Sequence, residues 1–303
     1  MYAMQLATSC DLCLVFAGLS RLLWMLLLLA SSRPRPLPRA WPRCCEPAAT
    51  SEPAVRLAAL ATHPQKVPEH LAVIMDGNSR WARRERRPRR DGHWAGVDAL
   101  RGLVDTVLSL EHVKVLTVYA MSIENLSRRP PEELAWLFEL FEKVVRDETE
   151  RLSKRGVRLR FVGALDLLPE RLRTRLLDAA AEPLAAPQQL TLCVAISYGG
   201  REEVARTARA IGTRVAAGEL LPEQIDEALV TATMRASEHS VPSDPDLLIR
   251  TGGDLRLSNF LLYQCAYTEL LCLDCLWPDF CDAHLAEALE EFARRRRNFG
   301  GRV

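Results

Sequence analysis

Net charge is almost absent from this chain: 40 Lys and Arg are matched by 39 Asp and Glu, leaving +1. A broad basic field for wrapping nucleic acid is therefore not indicated. Nor are aromatic residues, 6% of the total, interleaved with the arginines as a base-stacking platform. Of the nine cysteines, Cys272-Leu-Asp-Cys275 has no second Cys/His pair at zinc spacing, so these read as ordinary buried thiols of a reducing compartment. There is no internal repeat and no interdomain linker after Pro68. With 48% hydrophobic residues, the chain can bury the core of one domain of about 230 residues behind an N-terminal extension.

Acids are scarce in that extension. Asp11, Glu46 and Glu52 stand against Arg21, Arg33, Arg35, Arg39, Arg43, Arg56 and Lys66. No positive charge precedes the apolar Leu12–Ala30, which argues against a secretory signal, while the acid-poor, Arg-rich composition fits a transit peptide. The run 12–30 is also about long enough to span a bilayer, with Arg21 a costly interruption, so a membrane anchor stays open. Residues 1–67 are thus expected to be a targeting extension, disordered or in part an apolar helix, and 68–303 the folded domain.

From Pro68 onward apolar runs alternate with amphipathic stretches. This is the pattern of a single α/β domain with a central, mostly parallel six-stranded sheet flanked by helices. The runs predict strands over 71–75, 113–121, 157–162, 190–197, 247–250 and 269–273. Helical spacing covers 95–110, 132–154, 169–184, 201–217 and 283–297, and Pro222 opens another helix.

Chemistry-bearing residues gather just after the strands, where ligands sit in such sheets. His70-Leu-Ala-Val-Ile-Met-Asp-Gly-Asn-Ser-Arg-Trp81 ends an apolar run in a turn and opens onto Arg80, Arg83, Arg84, Arg86, Arg87, Arg89 and Arg90. A carboxylate alone among arginines suits a divalent metal bridging to a phosphorylated ligand. The bland alternative makes Asp76 a turn residue and most of 83–90 a solvated charge run, with Arg80 and Arg89 the better ligands. Ser122-Ile-Glu-Asn-Leu-Ser-Arg128 and Tyr198-Gly-Gly-Arg201 follow two further strands. In Arg250-Thr-Gly-Gly-Asp-Leu-Arg-Leu-Ser258, Gly252 and Gly253 let backbone N–H groups approach an anion, Arg250 and Arg256 supply bidentate donors, and Ser258 adds a hydroxyl. Two arginine-bearing loops on one rim imply two anions. Glu269 stands in an apolar setting, where a lone carboxylate is expensive unless paired or metal-bound. Trp277-Pro-Asp-Phe280 reads as a packing turn.

These motifs resemble the cis-prenyltransferases, the undecaprenyl and dehydrodolichyl diphosphate synthases. The resemblance rests on Met75-Asp-Gly-Asn78 with Arg80-Trp81, Tyr119-Ala-Met-Ser-Ile-Glu-Asn125, Tyr198-Gly-Gly-Arg201, Ile249-Arg-Thr-Gly-Gly253 with Arg256-Leu-Ser-Asn-Phe260, and Leu276-Trp-Pro-Asp-Phe280. It covers about residues 67–302, and the Asp-Asp-x-x-Asp motif of trans-prenyltransferases is absent. It implies Mg2+-dependent condensation of isopentenyl diphosphate with an allylic diphosphate of the geranyl, farnesyl or geranylgeranyl class. By position, Asp76 would be the essential acid that brings Mg2+ to the allylic diphosphate. Gly77, Asn78, Ser79, Arg80, Arg89 and His93 would bind that diphosphate, with Trp81 beside the chain. Arg250, Arg256 and Ser258 would hold isopentenyl diphosphate, and Glu269 would be a metal carboxylate. Asn125, with Ser122 and Glu124 nearby, falls in the family's proton-handling loop. The growing chain would lie in an apolar tunnel lined from 95–110 and 132–150.

Four departures accompany the resemblance. Leu126 replaces a common Trp, an extra residue in 127–130 leaves either Arg128 or Arg129 as the matching ligand, Asp254 stands where Glu is common, and Pro88 sits in the basic segment. The terminal Arg296-Arg-Asn-Phe-Gly-Gly-Arg302 resembles a family tail, with Asn298 inserted, and implies a homodimer. Plastid members carry extensions of this kind, so the chloroplast is the expected compartment, with an endoplasmic-reticulum membrane as the alternative. The competing functional reading is a non-catalytic partner subunit of a heteromeric synthase, against which the retained Asp76, Arg80, Arg250, Arg256 and Glu269 argue.

Overall fold

A strand without polar side chains has no face to offer water. In the computed structural model, which describes residues 52–297, the central strands are accordingly covered on both sides. They are β1 (His70–Ile74), β2 (Val115–Tyr119), β3 (Val157–Val162), β4 (Leu190–Ala195), β5 (Leu247–Arg250) and β6 (Glu269–Cys272). All run parallel, in the order β3-β4-β2-β1-β5-β6. The sheet is thus wholly rather than mostly parallel. Every residue of β1 and β2 is buried, which is why their sequences are continuous apolar runs and not alternating ones.

The helices are α1 (Glu52–Ala61), α2 (Asn78–Arg84), α3 (Arg89–Ser109), α4 (Ile123–Arg128), α5 (Pro131–Lys154), α6 (Glu170–Ala181), α7 (Gly200–Ala216), α8 (Glu227–Ala236) and α9 (Asp282–Arg294). Successive strand residues point to opposite faces. Leu71, Val73, Leu116, Val118, Leu247 and Ile249 enter the larger core, shared with α3, α5, α6 and α9. Ala72, Ile74, Tyr119, Cys193 and Leu248 enter a smaller one with Tyr198, Phe260 and Leu261.

Four elements differ from expectation. α1 lies inside the stretch read as extension: Leu57 and Leu60 are buried, and Arg56 grips Glu290 of α9 through two N–H groups at 2.7 Å. Pro222–Gln224 is a single 3-10 turn, and α8 follows it at Glu227, capped by Asp226, whose Oδ1 accepts the Leu229 N–H at 2.8 Å. α2 and α4 went unpredicted because stretches of seven and six residues carry too little apolar periodicity to register. The apolar run 12–30 and the tail from Asn298 lie outside the described residues. Among those described, no helix is long and apolar enough to cross a membrane, and Cys193, Cys265, Cys272, Cys275 and Cys281 are free thiols.

β1 leads into β2 on one side, whereas β5 leads into β6 on the other. The loops leaving their carboxyl ends therefore diverge and open a crevice between them. Behind the adjacent end of β4, Glu203 of α7 is 2% exposed. It accepts from Tyr198 Oη and Ser240 Oγ, both at 2.5 Å, and from Gln264 Nε2 at 2.9 Å. Replacing Glu203 by Ala strands these buried donors. It is expected to cost about 3 kcal/mol, read as a lower urea midpoint at unchanged slope, and Glu203→Gln, which keeps one acceptor, is expected to cost less.

Candidate active site

The crevice is built around a buried arginine. Arg250, the last residue of β5, is 3% exposed. Its Nη2 donates to Asp76 Oδ2 at 2.9 Å and to Asp254 Oδ2 at 3.2 Å. Its Nη1 donates to Ser258 Oγ at 2.8 Å and to the Arg256 carbonyl. Arg80 closes the other side of Asp76, with Nη2 3.0 Å from Oδ1, and its Nη1 donates to the Gly252 carbonyl at 2.6 Å. Thr251 fixes the backbone: its hydroxyl accepts the Asp76 N–H at 3.0 Å and donates to the Asp76 carbonyl at 2.7 Å. Gly77 lets the chain turn from Asp76 into α2. Its φ is 120°, and a Cβ there would press on the Leu276 backbone.

A polar cleft of about 610 Å³ follows from this arrangement, lined by Asp76, Gly77, Asn78, Ser79 and Arg80 after β1. Ser122, Glu124, Asn125, Arg128 and Arg129 line it after β2, Arg201 after β4, and Arg250, Ser258 and Asn259 from the end of β5 onward. Arg80, Arg128, Arg129, Arg201 and Arg250 outweigh Asp76 and Glu124 in this lining, so the cleft favours anions. Arg128 and Arg129 both reach it. Arg129 is steadied by Glu133 at 3.1 Å, while Arg128 stays exposed. Asn125 Oδ1 accepts the Ser122 N–H at 3.2 Å. Burial alone would raise the Glu124 carboxyl. Its own N–H, Asn259, Ser122 and the Arg128 charge outweigh that and hold it below the usual range.

Met75, Asn78, His93 and Ala120 also line a second cavity, of about 130 Å³, under the larger-core face of the sheet. Val97, Leu100 and Val104 of α3, with Leu140, Phe141 and Val145 of α5, form its walls, from the two stretches expected to make an apolar tunnel. The far end carries Arg101, Glu148 and Arg151, with Arg101 Nη2 2.7 Å from Glu148. At the throat, Asn78 Oδ1 and His93 Nε2 are buried without a protein partner. Burial, then the charges of Arg129 and Arg89, push the His93 imidazole down to about 4.

Several expected site residues are placed elsewhere. Trp81 is buried and turned away from the cleft, its Nε1 donating to Asp279 Oδ1 at 2.9 Å. The Trp277-Pro-Asp-Phe280 turn is accordingly more than packing, since Asp279 also takes Arg84 at 2.7 and 2.8 Å. Arg89 is exposed on Glu133 at 3.1 Å, and Arg256 is exposed on Asp254 at 2.6 Å, neither among the residues lining the cleft. Glu269 also lies outside the lining of the cleft. It starts β6 opposite Leu247, at the far end of β5 from Arg250, and pairs with Arg295 at 3.0 Å. It is therefore neither a lone carboxylate nor part of this cleft. Thr251 and Asn259 do belong to the rim and were missed, although the motifs containing them were visible.

Among the described residues, no three Asp, Glu, His or Cys side chains form a metal cage. Mg2+ is commonly held by one or two carboxylates plus substrate phosphates. Asp76, with Asp254 meeting it on one nitrogen of Arg250, fits that donor set.

Comparison with known proteins agrees with this geometry. Residues 74–300 match the family model described as "Putative undecaprenyl diphosphate synthase". A farnesyl-diphosphate-specific ditrans,polycis-undecaprenyl-diphosphate synthase of Xanthomonas axonopodis pv. citri is 47% identical over 247 residues, 80% of this chain and 94% of that protein. An isoprenyl transferase of Prochlorococcus marinus is 45% identical over 238 residues, covering 78% and 87% respectively. Among solved structures, lavandulyl diphosphate synthase from Lavandula x intermedia, in complex with dimethylallyl diphosphate, superposes with a TM-score of 0.73 at 33% identity, over 78% of this chain and 99% of that one. A probable undecaprenyl diphosphate synthase from Campylobacter jejuni gives 0.63 at 31% identity, over 77% and 98%. With its arginine-lined rim and adjoining apolar cavity, the chain belongs to the undecaprenyl diphosphate synthase family of cis-prenyltransferases.

Proposed function

We propose that the chain condenses isopentenyl diphosphate with an allylic diphosphate to extend a cis-polyprenyl diphosphate. The observation that carries this reading is the junction of two unlike spaces: a polar rim of arginines opens past Asn78 and His93 into an apolar cavity. A diphosphate head and a hydrocarbon tail need that pairing. In the reaction the allylic carbon–oxygen bond breaks, the isopentenyl double bond forms the new carbon–carbon bond, and a proton leaves. Arg80 and the N-terminal turn of α2 hold the allylic diphosphate, while Arg250 and Ser258 hold the isopentenyl diphosphate. Mg2+ carried by Asp76 would supply further charge on the leaving diphosphate. Fixing both heads orients the alkene against the allylic carbon. Glu124 and Asn125 face the same cleft and are placed to handle the departing proton.

A homodimer is supported by the edge strand β6, beside which Leu255, Tyr267 and Leu270 are exposed at 84%, 67% and 45%. The acid-poor composition of the first 51 residues supports an organellar address, by preference plastidial.

The full-length protein, incubated with labelled isopentenyl diphosphate, Mg2+ and primers of ten, fifteen and twenty carbons, is expected to make polyprenyl product. EDTA is expected to abolish it, and Asp76→Ala to lower the rate by about 100-fold or more. A folded wild-type chain that incorporates nothing from any primer would instead support the partner-subunit reading.

His93 yields a second prediction. Its pKa near 4 keeps it neutral at pH 7, and a bound dianion favours the protonated form. Inorganic pyrophosphate is expected to raise the His93 pKa by about 1 unit or more, followed by NMR of the imidazole. No movement on saturation would remove His93 from the diphosphate site.

A further inference from the structure

Asn259 lies where the loops after three strands meet. Its Nδ2 donates to Glu124 Oε1 at 2.7 Å, in the segment after β2. Its Oδ1 accepts the Arg201 N–H at 2.9 Å and its carbonyl accepts the Gly200 N–H at 2.7 Å, both after β4. Its own loop begins at Arg250 and carries Ser258. The backbone of that loop is left-handed at Ser258 (φ 49°), Asn259 (64°) and Leu261 (42°). Side chains with a Cβ rarely adopt this conformation unless their surroundings hold them there, and such strain collects at functional sites. Asparagine is among the residues that tolerate it best.

The chemistry also calls for an amide. One planar head must donate to a carboxylate with one end and accept a peptide N–H with the other. Aspartate has the acceptor without the donor. Glu124 is otherwise faced by Arg128 of its own helix and Tyr119 of β2, and shares the cleft with Asp76, Arg80, His93, Arg129, Arg201 and Arg250. We propose that Asn259 is a positioning residue that ties the aim of Glu124 to the Arg250 loop, so that the proton-handling and anion-holding parts of the rim are set together. This rests on the condensation reading above.

Two substitutions in the full-length protein test it. Asn259→Gly keeps the left-handed backbone and removes the amide. Asn259→Asp keeps the size and the acceptor for Arg201 but sets a second carboxylate against Glu124. Loss of a hydrogen bond to a charged group is expected to lower kcat/KM for isopentenyl diphosphate about 10- to 100-fold in Asn259→Gly, at every pH. Asn259→Asp is expected to be equally impaired at pH 8 and to regain about tenfold by pH 6, because two carboxylates sharing a site take up a proton. Without substrate, the Tm gap between Asn259→Asp and wild type is expected to narrow over the same acidification. Activity of Asn259→Gly within threefold of wild type would overturn the proposal, as would an Asn259→Asp pH profile parallel to wild type with a constant Tm gap. If the wild type itself proves inactive, the condensation reading fails, and the Tm comparison alone decides whether Asn259 governs Glu124.

Discussion

A guanidinium cannot shed its proton, so burying Arg250 at the end of β5 is the constraint around which this rim is organised. Taking such a charge out of water costs several kcal/mol, recovered only when carboxylates meet it with good geometry. The chain brings Asp76 from the end of β1 and Asp254 from the loop beyond β5 to one nitrogen of Arg250. That meeting depends on register, since Ile74 lies opposite Arg250 across the parallel ladder. A one-residue slip would turn the side chains of β1 to the other face and pull the carboxylate away. Thr251 reinforces the register by bonding both backbone groups of Asp76.

The same arrangement prepares the rim for an anion. Asp76 is bracketed by Arg80 and Arg250, so an internal carboxylate already occupies guanidinium donors that face the cleft. Exchange of one anion for another leaves the donors where they are, and little reorganisation is asked of them when charge develops. Arg250 Nε, Asn78 Oδ1 and His93 Nε2 are buried without protein partners. Each such group costs about 1–3 kcal/mol. Arg250 Nε is the donor among them, and it belongs to a side chain lining the cleft.

Much of this was legible in the sequence because sheet and rim are written in short-range patterns. Apolar runs predicted each strand to within a few residues, and Asp-Gly-Asn and Arg-Thr-Gly-Gly announced the turns that follow β1 and β5. What escaped depends on long-range geometry. Glu269 looked alone among apolar neighbours, but its partner Arg295 arrives from the end of α9. Trp81 stands three residues past the Asp76-Gly77-Asn78 turn, yet the pitch of α2 swings its ring toward Asp279. Arg83–Arg90 looked like a solvated run, yet Arg84 makes a two-pronged contact with a residue 195 positions away. Asn259 is polar in a loop, as many residues are. Only the convergence of the segments after β2, β4 and β5 on its amide marks it out.

The direction in which an apolar tail can run follows from the inequality of the two sheet faces. On the smaller-core side, Tyr119 stacks on Phe260 at 4.4 Å and Tyr198 meets both rings edge-on, which fills the space beneath the rim. On the other side α3 and α5 leave an apolar cavity of about 130 Å³. The approach of α3 to the Asp76-Gly77-Asn78 turn requires Gly96, where a Cβ would strike Asn78 Oδ1 and the indole of Trp277. That indole in turn donates to the Gly96 carbonyl at 2.8 Å. Trp277 therefore holds α3 close at the throat, while Arg101 of α3 pairs with Glu148 of α5 at the other end of the cavity. Between these two contacts the walls of the space are apolar. A tail whose head is anchored on the rim has that space as its way in.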